Sequence, residues 1–308
     1  MGAYVISVLN HKGGVGKTTV VLNIAAALAS RGKRVLVIDL DKQANATDRL
    51  LGSFKRNRPH LYDLLLDEEG ALDAGDGLYP ARAPFSTIRV LAGDARLGAA
   101  ERDLSPADRP DVWSALKDKV SPLADEFDFI LIDNPPSLNV LTAAGLVLAA
   151  GNGGFLIPLD LGSDSTKGAK AVVEAVGKLH KARVLEECPD FLGLVFALYQ
   201  KAKAKGTKQV EVNARIAFSG KLAPIHVPHS SYVTEAAAAG KTVIETHPKS
   251  PVAAAYIALA EILTGEKLAV EKQAKRAALK VSSTARRKLK APLKVKRPLK
   301  TRTREVRA

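Results

Sequence analysis

Residues 10–19, NHKGGVGKTT, constrain what this chain can fold into more than any other stretch. The apolar run before them, residues 3–9, is rich in β-formers and has the length of a buried strand. Residues 20–31 carry alanine and leucine through about three helical turns before Gly32. The glycines therefore fall in a strand-to-helix turn. Gly13, Gly14 and Gly16 let the backbone approach a polyphosphate closely, and the N–H groups from Gly13 through Val15 to Thr19 can point at it beside the positive end of the helix. Lys17 is placed to reach the outer phosphates and the Thr18 hydroxyl to hold Mg2+, so the stretch reads as an ATP site.

Two further strands end in acids. Residues 34–39, RVLVID, finish on Asp39, with Asp41 two positions later; carboxylates at a strand's carboxyl end are where open α/β sheets build their sites. Residues 127–133, FDFILID, form the clearest buried strand of the chain, with four consecutive apolar residues before Asp133. This is a Walker B pattern, in which Asp133 holds Mg2+ directly or through water. The NPPS that follows is a stiff loop able to transmit the state of the outer phosphate. Further strands are expected at 88–92, 154–158 and 191–198. Helices are expected at 113–124, 164–180, 209–218 and 251–263, with a short amphipathic helix in HLYDLLLDEE and a basic loop at 201–208. The expected fold class is α/β: a doubly wound, mostly parallel sheet flanked by helices.

The net charge of +14 is unevenly placed. Residues 266–308 hold 16 Lys and Arg against 3 Glu, which leaves 30 against 29 for residues 1–265. That shift marks the expected boundary between an ATPase domain, 1–265, and a basic, low-complexity, disordered tail, 266–308. The leucines of the tail are too scattered for a membrane-surface face, and no aromatic residue follows Tyr256. Duplex DNA suits it better, through phosphate contacts by Arg286, Arg287, Lys288, Lys290, Lys294, Lys296 and Arg297 that position without reading sequence. A single cysteine, Cys188, excludes an internal disulfide. With no long uncharged apolar run and no leader-like start, the expectation is a cytoplasmic, nucleoid-associated protein.

KGGVGKTT headed by Lys12 resembles the deviant Walker A motif of the ParA/MinD family of dimerising P-loop ATPases. The resemblance covers roughly residues 3–264. It implies that Lys12 crosses to the phosphates of a partner subunit in an ATP-bound homodimer. DLDKQANAT resembles the family's second signature, which implies that Asp41 positions the attacking water and that Asp39 supports the metal shell; Lys42 and Ala44 stand where proline and glycine are usual. Late in the chain, Pro228, Glu235, Gly240 and Lys241 match the element whose backbone around Pro228 lines the adenine pocket. His229 and Tyr232 replace arginines that bind nonspecific DNA in relatives, which moves the expected DNA contacts to the tail. The implied protein is a ParA-like partition ATPase, magnesium-dependent and slow without a ParB-like centromere-binding partner, with Lys12, Lys17 and Asp41 as its catalytic residues. The rival expectation is a MinD-like positioning ATPase acting on a membrane or a protein scaffold.

Overall fold

The structure, a computed structural model, describes residues 2–52, 57–105, 107, 111–199, 205–218 and 225–265. The chain divides into two compact units, Met1–Ala260 and Glu261–Ala308, and of the second only residues 261–265 are described. The basic tail and its seven expected DNA contacts therefore lie outside the described residues.

Eight strands form one sheet. They are β1 (Tyr4–Val8), β2 (Val35–Asp39), β3 (Leu78–Pro80), β4 (Ile88–Leu91), β5 (Phe129–Asp133), β6 (Gly153–Leu159), β7 (Asp190–Tyr199) and β8 (Ile225–Pro228). Their spatial order is β3-β4-β2-β5-β1-β6-β7-β8. Every pairing is parallel except β3 with β4. The chain winds from β1 towards β2 and β4 on one side and, later, towards β6, β7 and β8 on the other. The crevice beyond the carboxyl ends of β1, β2 and β5 is thus the topological switch point, where such sheets place ligands.

The helices are α1 (Lys17–Ala29), α2 (Asn45–Leu51), α3 (Leu61–Leu66), α4 (Ala100–Asp103), α5 (Val112–Val120), α6 (Val140–Ala149), α7 (Ser165–Lys181), α8 (Lys205–Ala217), α9 (Ser231–Ala238), α10 (Val243–Thr246) and α11 (Pro251–Leu263). From Val20 on, helix α1 is apolar but for Asn23, and residues 20–28 are all buried, which is why its sequence shows no polar stripe. Helix α7 shows the opposite pattern. Ser165, Ala169, Val172 and Val176, at helical spacing, face the core, while Lys167, Lys170, Glu174, Lys178 and Lys181 are exposed. Leu36, Ile38, Ile130 and Ile132 join one apolar cluster, and Phe155, Ile157, Leu194 and Phe196 join another, so each strand run of alternating faces is covered by helices.

Three expectations change. The helix expected over 113–124 ends at Val120 and continues as a 3-10 turn, Ser121–Glu126, because Pro122 cannot donate to a continued α-helix. Strand β3 was not expected from the sequence; three residues ending in Pro80 give no alternating signal, and proline is tolerated there because β3 is the sheet's edge. The basic stretch 201–208 is not wholly a loop, since Lys205 to Lys208 open α8. No described helix is long and apolar enough to cross a membrane.

Candidate nucleotide site

The expected phosphate loop joins β1 to α1 at the switch point. Gly14 and Gly16 adopt φ of +75° and +91°, the left-handed region that favours glycine. A side chain at Gly13 or Gly14 would meet nothing within 4 Å, so the loop backbone fronts open space. Helix α1 begins at Gly16 with no side-chain cap, which leaves its first-turn N–H groups for an anion. Buried Asn10 braces the loop from beneath: its amide donates to the Pro158 carbonyl at 2.7 Å, and its carbonyl accepts from the Lys12 N–H at 3.0 Å.

A cleft of about 390 Å3 opens over this loop. Gly13, Gly14, Gly16, Lys17, Thr18 and Thr19 form its floor, and Asp41, Gln43, Asn45, Arg49 and Pro136 its walls. Lys17 is 7% exposed, and its ammonium reaches back to the Lys12 carbonyl at 3.4 Å. Burial lowers the Lys17 pKa, while Asp133 and Asp41 act to hold its proton.

Strands β2 and β5 end level with each other, Asp39 opposite Asp133. The two buried carboxylates are treated differently. Asp39 accepts from the Thr47 N–H and hydroxyl, both at 2.8 Å, and from the Asp41 N–H at 3.2 Å. Neither oxygen of Asp133 has a well-formed hydrogen bond. Burial raises the Asp133 pKa well above its ordinary value and the Asp39 charge adds to this, while the Thr18 hydroxyl nearby, short of hydrogen-bond geometry, and the Lys17 ammonium offset part of it. Asp39 is itself raised to about 6, by burial first, against the donors that Thr47 supplies.

A buried, unsatisfied carboxylate beside a hydroxyl and a lysine, at the mouth of a glycine cradle, is a donor set that fits a magnesium nucleotide. Thr18 and Asp133 are the residues placed to hold the ion. Asp39, with both oxygens committed to the 41–47 loop, supports that loop. Asp41 faces the cleft from the same loop and accepts the Gln43 N–H at 3.0 Å. Ala44, where glycine is usual in the family signature, takes φ +51° and ψ +31°.

Not every expected residue joins the cleft. Lys12 ion-pairs with Asp160 of its own chain, and Asp160 also accepts from the Ser165 hydroxyl and the Gly162 N–H. Pro228 ends β8 on the far edge of the sheet, paired in register with Tyr199, and is not among the described walls of the cleft. Sequence reasoning missed Arg49, whose only signal is its place four residues after Asn45 on α2, and missed Asn23 of α1. The Asn23 side chain accepts from the Val243 N–H at 2.9 Å, tying the phosphate-loop helix to α10.

Two outcomes follow from this geometry. Ala44→Gly relieves a left-handed alanine and is expected to stabilise the protein by about 0.5–1 kcal/mol, raising the melting temperature by roughly 2 °C. For Asp133, a raised native pKa means that the native state holds its proton more tightly than the unfolded chain does, so stability is lost as pH rises out of the ordinary carboxylate range. Asp133→Asn, without nucleotide and with chelator, is expected to melt above the parent at about pH 8, by a margin that shrinks as pH falls towards about 4. Scanning fluorimetry across pH reads both.

Comparison with known proteins places this geometry. The family model described as AAA domain matches residues 3–187. The chain is 30% identical over 276 residues to the chromosome partitioning protein ParA of Caulobacter vibrioides (strain NA1000 / CB15N), covering 89% of this chain and 97% of that one. It is 33% identical over 262 residues to the chromosome-partitioning ATPase Soj of Thermus thermophilus, covering 83% and 93%. Among solved structures, cobyrinic acid a,c-diamide synthase from Mycobacterium smegmatis with bound ADP and magnesium is similar at a TM-score of 0.68 and 28% identity, covering 85% of this chain and 94% of that one. With a glycine loop headed by Lys12 and relatives that span most of its length, the chain belongs to the ParA/MinD family of deviant Walker A ATPases.

Proposed function

We propose that the protein is a ParA-like partition ATPase that binds Mg-ATP, closes as a homodimer, coats nonspecific duplex DNA and hydrolyses ATP slowly until a ParB-like partner stimulates it. The observation that carries the nucleotide chemistry is Asp133, a buried carboxylate with no well-formed hydrogen bond, set beside Thr18 and Lys17 at the phosphate loop. The partition role draws support from relatives named as partitioning proteins over most of their length.

In this reading the N–H groups of residues 13–19 bind the phosphates and Lys17 neutralises the outer ones. Magnesium, when bound by Thr18 and Asp133, offsets charge on the transferring phosphoryl group. Asp39 keeps the 41–47 loop in place, and Asp41 orients water at the outer phosphate. The adenine contact assigned to Pro228 belongs to the same reading. Lys12 has two states. With no partner it pairs with Asp160; in the dimer it exchanges that carboxylate for a phosphate of the other subunit. The Lys12 side chain is 55% exposed, and an exposed pair of this kind contributes about 0–1 kcal/mol, so the exchange costs little.

DNA binding is assigned to residues 266–308, because residues 1–265 are nearly charge-neutral. Each phosphate that the tail neutralises adds about 0.9 to the log-log salt slope.

Asp41→Ala is expected to bind ATP with near-parent affinity and to lose at least about 100-fold in turnover, as an enzyme does when the group that positions its nucleophile is removed. Unchanged turnover would remove Asp41 from the mechanism. Binding of random-sequence duplex DNA, measured with ATP, with ADP and without nucleotide at one salt concentration, is expected to be tight with ATP alone and to weaken, with a flatter salt slope, on deletion of 266–308. Equal binding in all three states would make the tail a constitutive tether. No binding to DNA, with ATP-dependent flotation on vesicles instead, would favour a membrane-positioning ATPase.

A further inference from the structure

Helix α2 turns one cation into the phosphate cleft. Asn45 and Arg49 lie four residues apart, hence on one helix face, and both line the cleft opposite the phosphate loop. Ala46, Thr47 and Leu50, on the other faces, are buried.

The Arg49 guanidinium makes no hydrogen bond and no ion pair among the described residues. Other arginines of the same unit are matched. Arg82 grips Glu245, Arg96 grips Asp63 and Asp94, and Arg34 grips Asp128. Arg49 carries five N–H donors, cannot lose its charge, and is partly buried, and no acceptor among the described residues meets it. The negative group that counters its burial is Asp133, the carboxylate at the ion site, which places the guanidinium's field on the phosphate side of the cleft.

Its helix is pinned at both ends. At the start, Thr47 donates its N–H and hydroxyl to Asp39. At the finish, the Arg82 Nε donates to the Arg49 carbonyl at 2.9 Å and the Arg82 N–H to the Leu50 carbonyl at 2.8 Å. The rest of the Arg82 guanidinium is locked onto Glu245, at 2.8 and 3.1 Å, and onto the Gly240 carbonyl at 2.8 Å. An unmatched cation on a fixed helix, facing a phosphate cradle, is preorganised for an anion.

We propose that Arg49 binds the outermost phosphate of the nucleoside triphosphate within its own subunit, distinguishing triphosphate from diphosphate and offsetting the charge that develops on the transferring phosphoryl group. This rests on the ATPase reading above. It differs from the role given to Lys12, which needs a second subunit. Arg49 acts in the monomer, and its planar fork can donate two parallel N–H bonds where a lysine offers a point charge.

The test uses the full-length chain, its Arg49→Ala, Arg49→Gln and Arg49→Lys variants, calorimetric titration with ATPγS and with ADP in the presence of Mg2+, and steady-state ATP turnover. Loss of charge-assisted hydrogen bonds to the outer phosphate is expected to weaken ATPγS binding by about 10-fold or more, to leave ADP within about 2-fold, and to lower kcat by about 100-fold. Arg49→Lys is expected to recover only part of the ATPγS affinity. Arg49→Gln keeps the apolar stem and a good helix former, and it carries the test if the alanine variant does not fold. Equal losses for both nucleotides, or none for either, would overturn the assignment alone. A parent protein that binds neither nucleotide would overturn the ATPase reading and the assignment with it.

Discussion

Two parallel strands that end at the same register bring Asp39 and Asp133 into one dry corner, and the protein resolves that crowding unevenly. Burying an ionised carboxylate costs several kcal/mol unless dipoles or a counter-charge meet it. Asp39 has its dipoles, from Thr47 and the Asp41 N–H. Asp133 has none of that quality, and the nearest ammonium, Lys17, has its own proton affinity lowered by burial. The native state without a ligand is therefore short of positive charge at the spot where a divalent ion would supply it. In the proposed ATPase, a bound divalent ion would offset that cost.

The remaining parts of the site hold that corner open and surround it. The left-handed glycines aim backbone N–H groups outward, Asn10 fixes the loop floor, and the Asp39–Thr47 contacts fix the start of α2. Arg82 and Glu245 fix the other end of α2 and link it to α10, while Asn23 links α10 back to the helix of the phosphate loop. The phosphate-loop helix, α10, Arg82 and α2 are thus joined in one connected polar chain beside the cleft. By contrast, the Lys12–Asp160 pair is solvent-exposed and weakly held, as suits the exchange of partners proposed for Lys12.

Much of this was legible in the sequence because it is local. The phosphate loop, the strand-terminal acids Asp39, Asp41 and Asp133, and most strands and helices declare themselves within windows of about ten residues, where periodicity and turn chemistry operate. The illegible parts are contacts between distant segments. Nothing in the neighbourhood of Arg82 announces Glu245, which lies 163 positions away, or its grip on α2. Lys12 and Asp160 are 148 positions apart, and their pairing depends on β6 lying beside β1. Ala44 stands out in the sequence as a replacement for the usual glycine, but its left-handed backbone is visible only in the structure. Strand β3 escaped because three residues carry too little pattern to register.

The strand order also sets a timetable for making the protein. Strand β1 is separated by a long stretch of chain from both of its neighbours in the sheet, β5 and β6, the latter ending at Leu159. At about 5–20 residues per second, roughly 7 to 30 seconds separate the synthesis of β1 from the completion of its second neighbour. Until β5 and then β6 arrive, the hydrogen-bonding edges of a largely apolar central strand lack their native partners, and the mostly apolar α1 lacks much of the sheet it packs against. The strand that leads into the phosphate loop thus waits for partners synthesised well after it, and until β6 arrives its open edge falls to whatever factors hold nascent apolar segments apart.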